Sequence, residues 1–328
     1  MPDSANLVDR AITTRIDRTE LLRDVARGLR MQQKELDPKY FYDDRGSELF
    51  ELITELPEYY LTRAERALLV TEIPEMVGRM RPRSLVELGA GSATKTRIIL
   101  DAMQRAGSGE QYVPVDVSRD FLEETARRLR EIYPQLEITT AVGDFTGQLR
   151  LPWLERPTLF VFLGSTIGNF ESESAVRILR RTAAQMCPGD RFLLGADLRK
   201  DERLITAAYN DSEGVTAEFN LNILRVLNRE LGANFNLCAF RHRAFYDREL
   251  HRVEMHLDSD RDQTVLVPEI GNVHFREGES IRTELSCKYD RPAVESLFKS
   301  AGIRLEQWTT GDDELFALAL GGLARTVP

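Results

Sequence analysis

Val86-Glu87-Leu88-Gly89-Ala90-Gly91 decides how this chain is organised. An apolar run that starts at Ser84 enters two glycines two residues apart, and an amphipathic stretch follows. That is the pattern of a strand, a tight turn and a helix, with glycine wherever φ must be positive or a ligand must approach the backbone. A dinucleotide fingerprint needs a third glycine at 94. Thr94 stands there, so the GxGxxG pattern fails and a dinucleotide oxidoreductase is the weaker reading.

Moving outward, short apolar runs alternate with amphipathic ones. Strands are expected at 84–88, 112–116, 137–141, 158–163 and 191–196, with helices near 94–105, 119–132 and 172–186. This rhythm predicts βαβ units and a parallel sheet. It breaks at about Asp197, where a helix-like stretch over 201–232 precedes alternating segments at 238–246, 251–257, 264–268 and 281–289, read as antiparallel strands. It returns with a helix opened by Pro292 and closed by Gly302, then strands at 303–308 and 315–320. Upstream, 19–30 reads as a helix. Thr62-x-x-Glu65 reads as a capping box that starts another, running to about Arg79. The expected fold class is α/β: a doubly wound domain from 64–198 and 290–328, and a second α+β domain from 1–63 and 199–289.

Composition narrows the function. The 328 residues carry 44 basic and 53 acidic side chains, a net charge of −9. Nucleic-acid backbones call for clustered Lys and Arg, so no nucleic-acid partner is expected. No apolar run approaches the roughly 20 residues of a membrane helix, and the first twenty residues hold no apolar secretory core. Cys187, Cys238 and Cys287 lie far apart without a CxxC pair, and the four histidines lack metal-ligand spacing. A cytoplasmic location, no metal and no membrane partner are therefore expected.

Ligand chemistry belongs at the carboxyl ends of such strands. Three features sit there: the glycine turn at Gly89, Asp116 with a carboxylate for two ribose hydroxyls, and Gly143-Asp144-Phe145, where Asp144 could take an adenine amine and Phe145 pack on the ring. Each alone is also a common helix cap or turn. Glu87, two residues before Gly89, resembles the opening motif of S-adenosylmethionine-dependent methyltransferases. The Asp/Asn-Pro-Pro-aromatic string of enzymes that methylate base amines or protein glutamine is absent after the fourth strand, where Gly164-Ser-Thr-Ile-Gly-Asn169 stands instead. In 282–288 (Arg-Thr-Glu-Leu-Ser-Cys-Lys), side chains two apart share a strand face. Glu284 and Ser286 should point one way together, and Arg282 and Lys288 likewise.

Lys39-Tyr-Phe-Tyr-Asp, Leu56-Pro-Glu-Tyr-Tyr, Glu87-Leu-Gly-Ala-Gly-Ser, Phe162-Leu-Gly-Ser-Thr-Ile-Gly-Asn, Gly214-Val-Thr, Asn228-Arg-Glu-Leu and Thr283-Glu-Leu-Ser-Cys-Lys follow one another in order. Together they resemble the histidine-specific Nα-methyltransferases of ergothioneine biosynthesis, from about residue 20 onward. The resemblance implies a Rossmann-like class I methyltransferase sheet with a substrate-binding domain. It implies trimethylation of the α-amine of L-histidine to hercynine, with S-adenosyl-L-methionine as co-substrate and the mono- and dimethylated forms also accepted; the sequence leaves the oligomeric state open, a monomer being one expectation. It assigns Tyr59, Gly89, Lys95, Asp116, Asp144 and Phe145 to the cofactor, and Asn169 and Tyr209 to the substrate carboxylate. Tyr42 and Phe50 fall around the amine, Tyr42 as a proton relay. Glu284 and Ser286 fall to the imidazole, with Met255 beside it. Two alternatives stay open: an N-methyltransferase for another amino acid such as tryptophan, and a non-catalytic S-adenosylmethionine-binding protein.

Overall fold

The computed structural model describes residues 16–91, 93–117, 119–143, 147 and 150–324. Asp17 caps α1 (Arg18–Gly28), its carboxylate accepting from the backbone of Thr19 and Glu20. A short strand β1 (Lys34–Glu35) leads to α2 (Asp44–Glu55), capped by Asp43. The next helix, α3 (Tyr60–Met80), starts two residues before Thr62 and has no side-chain cap. The expected capping box is therefore absent, because Glu65 is fully buried and its carboxylate is engaged elsewhere.

β2 (Ser84–Leu88), α4 (Thr96–Arg105), β3 (Gln111–Asp116), α5 (Arg119–Ile132), β4 (Glu137–Ile138), β5 (Ala141–Val142), β6 (Thr158–Phe162), α6 (Ser172–Ala183) and β7 (Arg191–Asp197) keep the expected rhythm. The strand expected at 137–141 is two short pieces. The helix expected over 201–232 is also two, α7 (Glu202–Ala207) and α8 (Val215–Leu231). Gly214, at φ 75°, breaks it. Asp211 then restarts it by accepting from the backbone of Val215 (2.8 Å) and Thr216 (2.7 Å). β8 (Phe240–Asp247), β9 (Arg252–Ser259), β10 (Gln263–Val267), β11 (Gly271–Phe275) and β12 (Ser280–Cys287) follow, then α9 (Arg291–Ser300), β13 (Ile303–Thr310) and β14 (Phe316–Leu323). No strand is expected over β11, where only Val273 and Phe275 turn inward.

The larger sheet has the order β13-β14-β7-β6-β2-β3-β4, with β5 beside β3; β2 to β7 run parallel, and β13 and β14 are antiparallel additions. Apolar side chains of α3, α4 and α5 cover one face, those of α6 and α9 the other. The order reverses direction between β2 and β6, so the loops leaving these two strands flank a crevice at the sheet's carboxyl edge. The smaller sheet, β1-β12-β9-β8, packs with the β10-β11 hairpin, α1, α2 and α8 around a separate core. The two sheets touch where β7 and β12 end: Leu198 bridges Tyr289, and Tyr289 donates its amide to the Asp197 carbonyl (2.8 Å).

Candidate functional site

One side of the crevice is built by the turn after β2. Gly89 (φ 67°) and Gly91 (φ 49°) are left-handed, and a Cβ at Gly91 would meet nothing within 4 Å. The turn therefore presents bare backbone to open space. Asp116, at the end of β3, leans over it, its Oδ2 3.4 Å from the Gly91 amide. Glu87 stands two residues before Gly89. It is buried and accepts from Thr96 Oγ1 (2.6 Å) and Tyr112 Oη (2.5 Å), which lashes the first turn of α4 to β2 and β3. Burial pushes its carboxyl up to about 7, against those two hydrogen bonds. Lys95 makes an ion pair with Glu65, whose other oxygen accepts from the Gly164 amide (2.7 Å). A Cβ at Gly195 would lie 2.2 Å from that oxygen, so the bare backbone of β7 makes the room. Glu65 thus ties the loop after β6 to α4, a role hidden behind its false capping motif. Asp144 and Phe145 lie outside the described residues.

An aromatic wall faces the turn. Tyr42 meets Phe50 edge to face (5.6 Å between centroids), and Phe50 meets Tyr59 in the same way (6.3 Å). Phe219 of α8 touches both Tyr42 (5.6 Å) and Phe50 (6.0 Å) and stacks on Phe41 (4.5 Å). Phe219 is the hub of this wall. Its place in the apolar pattern of α8 reads only as core, so sequence reasoning misses it. Tyr42 keeps 39% of its surface accessible. The burial of the rest pushes the phenol upward, and the charges of Glu284 and Asp116 push it the same way. Both carboxylates assigned to opposite ligands therefore act on this one phenol.

β12 supplies the third side. Its register against β9 shifts between Arg282 and Glu284, the mark of a bulge at Thr283. Thr283 is pinned there, its Oγ1 donating to Asn220 Oδ1 (2.6 Å) and lying 3.1 Å from the Met255 carbonyl. Below the bulge, Glu284 stands opposite buried Met255, and Ser286 opposite Val253. Above it, Arg282 turns to the other face, to Glu35 (2.6 Å) and Glu254 (3.6 Å). The expectation that Arg282 and Lys288 share a face is thus wrong, because simple alternation does not survive an inserted residue. Half-buried Glu284 makes no hydrogen bond or ion pair with any described residue. Burial raises its carboxyl to about 7, against the pull of Lys288.

Beside it lies a satisfied network. Fully buried Lys288 donates to Tyr209 Oη (2.9 Å) and Ser286 Oγ (2.9 Å), and its ammonium pairs with Asp197 Oδ2 (2.7 Å). Tyr209 Oη donates to Ser286 Oγ (2.9 Å). His242 holds the Tyr209 carbonyl at 2.9 Å from Nε2, with its Nδ1 2.9 Å from Asn220 Nδ2. Burial lowers the pKa of this imidazole, which fits a neutral ring that donates from Nε2. Asn169 ends the short helical turn after Gly164, with no side-chain partner among the described residues. Neighbouring Gly168 packs so tightly on β12 that a Cβ there would lie 2.8 Å from the Cys287 carbonyl oxygen. Among the described residues no group of three or more His, Cys, Asp or Glu side chains could hold a metal, and no helix is long and apolar enough to cross a membrane.

The family model described as "Histidine-specific methyltransferase, SAM-dependent" matches residues 21–322. A histidine N-alpha-methyltransferase of Mycobacterium tuberculosis (strain CDC 1551 / Oshkosh) is 44% identical over 302 residues, 92% of this chain and 94% of that protein. One of Mycolicibacterium smegmatis (strain ATCC 700084 / mc(2)155) is 42% identical over the same shares. Among solved structures, an S-adenosylmethionine-dependent methyltransferase from Clostridium acetobutylicum ATCC 824 aligns at a TM-score of 0.49 and 13% identity, covering 85% of this chain and 99% of that one. The chain belongs to the histidine-specific, S-adenosylmethionine-dependent methyltransferase family.

Proposed function

We propose that this chain transfers three methyl groups in succession to the α-amine of L-histidine, giving hercynine, as the first step of ergothioneine biosynthesis in the cytoplasm. The lobe of 64–198 and 290–328 takes the cofactor, and that of 1–63 and 199–289 takes the amino acid. The observation that carries the reading is Glu284: a half-buried carboxylate with no partner among the described residues, on one strand face with Ser286, acting on the same Tyr42 phenol as Asp116.

The residues fit the cofactor. Gly89 and Gly91 give it bare backbone, Asp116 offers a carboxylate for ribose hydroxyls, Tyr59 flanks it, and Lys95, held by Glu65, braces the turn; Asp144 and Phe145 complete this assignment. S-adenosylmethionine supplies an activated methyl group, so the protein's task is chiefly alignment, a contribution of several kcal/mol at roughly this level of order. Glu284 accepts the imidazole N–H, Ser286 meets the other ring nitrogen, and Met255 packs beside the ring. Asn169 and Tyr209 hold the carboxylate. Tyr42 aligns the neutral amine and relays its proton to water without ionising, since its surroundings oppose the phenolate. The rings of Tyr42 and Phe50 tolerate the permanent cation that forms, at about 0.5–2 kcal/mol each.

Mass spectrometry of L-histidine incubated with the purified protein and S-adenosylmethionine tests this. A gain of three methyl groups is expected. No gain on histidine, or faster methylation of tryptophan, overturns it.

A further inference from the structure

The turn that carries Asn169 is held against β12 at several points, and one of them is charged. Tyr289 Oη donates to the Ile167 carbonyl (3.3 Å), and the Cys287 thiol reaches the Phe170 carbonyl (3.8 Å). The first contact is long, and a thiol is a weak donor. Glu171 makes the strong one. Its carboxylate accepts from Arg252 Nη1 (2.7 Å), a charge-assisted bond, and Arg282 Nη1 stands 4.0 Å away. Buried Arg252 also donates from Nε to Glu254 (2.8 Å), whose other oxygen lies 2.8 Å from His256 Nε2. It stands opposite Cys287, one residue past Ser286, on the face of the sheet turned away from Glu284. Glu171 therefore ties the end of the turn to the back of the strand whose front carries Glu284 and Ser286. It sits at the start of α6, yet its side chain makes no capping hydrogen bond there, so the helix does not compete for it.

We infer that Glu171 and Arg252 are positioning residues, a latch that holds Asn169 at the distance from Glu284 and Ser286 that the amino acid has to span. The inference rests on the reading that Asn169 holds the substrate carboxylate while Glu284 and Ser286 grip the ring. A ligand held at both ends binds best when the two grips already stand at its length, because ordering them then costs nothing at the moment of binding. The latch sets that spacing from the far face of the sheet. Removing Glu171 leaves Arg252 paired with Glu254, and Arg282 with Glu35 and Glu254, so no buried charge is stranded. The Glu171 side chain is itself half exposed, so its loss opens no cavity.

The test is a double-mutant cycle on kcat/KM for L-histidine, from initial rates at saturating S-adenosylmethionine. Glu171→Ala should lower kcat/KM about three- to fivefold, the upper end for a partly exposed ion pair. In an Asn169→Ala background the same substitution should cost less than about 1.5-fold, because the group it positions is gone. Affinity for S-adenosylhomocysteine, read by calorimetry, should change by less than about twofold in Glu171→Ala, since the pair lies away from the turn after β2. Glu171→Asp keeps the negative charge at the start of α6 but is one methylene short, so it should lose as much as Glu171→Ala. An unchanged kcat/KM in Glu171→Ala overturns the latch, and so does an equal loss with and without Asn169. A loss of cofactor affinity as large as that of kcat/KM overturns it too, as does a wild-type Glu171→Asp, which would put the effect down to charge at the helix start. Where Asn169→Ala is too slow to assay, Asn169→Ser takes its place with the same expectation. An Asn169→Ala variant with unchanged kcat/KM strikes the assignment of Asn169 in the proposed function and takes the latch with it; a sensitive Asn169 with an additive Glu171 strikes the latch alone.

Discussion

Glu284 destabilises the ligand-free protein that carries it. Its pKa is raised from 4.5 to about 7 by burial. Between those values the folded protein holds a proton that the unfolded chain has released, so this group's contribution to stability falls as pH rises through the window. Glu284→Gln, which mimics the protonated form, should stabilise the ligand-free protein by about 1–2 kcal/mol at pH 8. The gain should vanish towards pH 5, and thermal melts across the range measure both. Catalysis should move the opposite way: a charge-assisted hydrogen bond is worth roughly 1.5–3 kcal/mol, so Glu284→Ala should lower kcat/KM for histidine by about 10- to 100-fold. An unchanged kcat/KM removes Glu284 from the site. Across the crevice, Asp116→Ala should weaken S-adenosylhomocysteine by about tenfold or more in calorimetry, at about 1 kcal/mol for each of two lost hydrogen bonds. Unaltered affinity rejects the ribose assignment.

At the scale of elements, Gly168 is where the loop after β6 of the larger sheet meets β12 of the smaller one. Gly168→Ala would place a methyl 2.8 Å from the Cys287 carbonyl oxygen, and that contact is backbone on the far side, so β12 or the turn has to move. An overpacking cost of about 1–3 kcal/mol is expected. Because the turn carries Asn169 and the strand carries Glu284, KM for histidine should rise several-fold while cofactor affinity changes less than twofold. Equal losses in both would mean a general fault in folding. The alternating strands and helices from β2 to β7 were legible because each leaves a periodic trace and the turns between them are short. Other features were not. Thr62-x-x-Glu65 has the letters of a capping box, but Glu65 is drawn to Lys95 and the Gly164 amide, contacts that local sequence does not encode. The break between α7 and α8 is marked by Asn210-Asp211-Ser212-Glu213-Gly214, a turn cluster that reading 201–232 as one helix-like stretch passes over. The bulge at Thr283 is set by tertiary partners, Asn220 above all, and period-two reading assigned Arg282 to the wrong face. The candidate site residues rest on ordered motifs rather than on periodicity, and no such motif points to Phe219 or gives Lys288 a role.

For the whole molecule, the joint between the sheets is made of buried, mutually dependent groups: Asp197 at the end of β7, Lys288 just past β12, and Tyr60 opening α3. Removing one lobe would strand charges in the other, at a cost of several kcal/mol. Calorimetric unfolding should therefore give a single transition, moved upward as a unit by S-adenosylhomocysteine. Two separated transitions, with only one responding, would show that the lobes melt independently. The bulge at Thr283 bears on what such a molecule offers its ligand. In an unbroken strand, residues 282 and 284 would lie side by side, and the guanidinium would act as a built-in counter-ion to the acid. The pocket would then be neutralised from within, and an incoming ring would have to displace that internal partner before it could bind. One inserted residue prevents this self-quenching: it sends the cation to Glu35 and Glu254 on the opposite face and leaves the acid without a counter-ion beside it on its own strand.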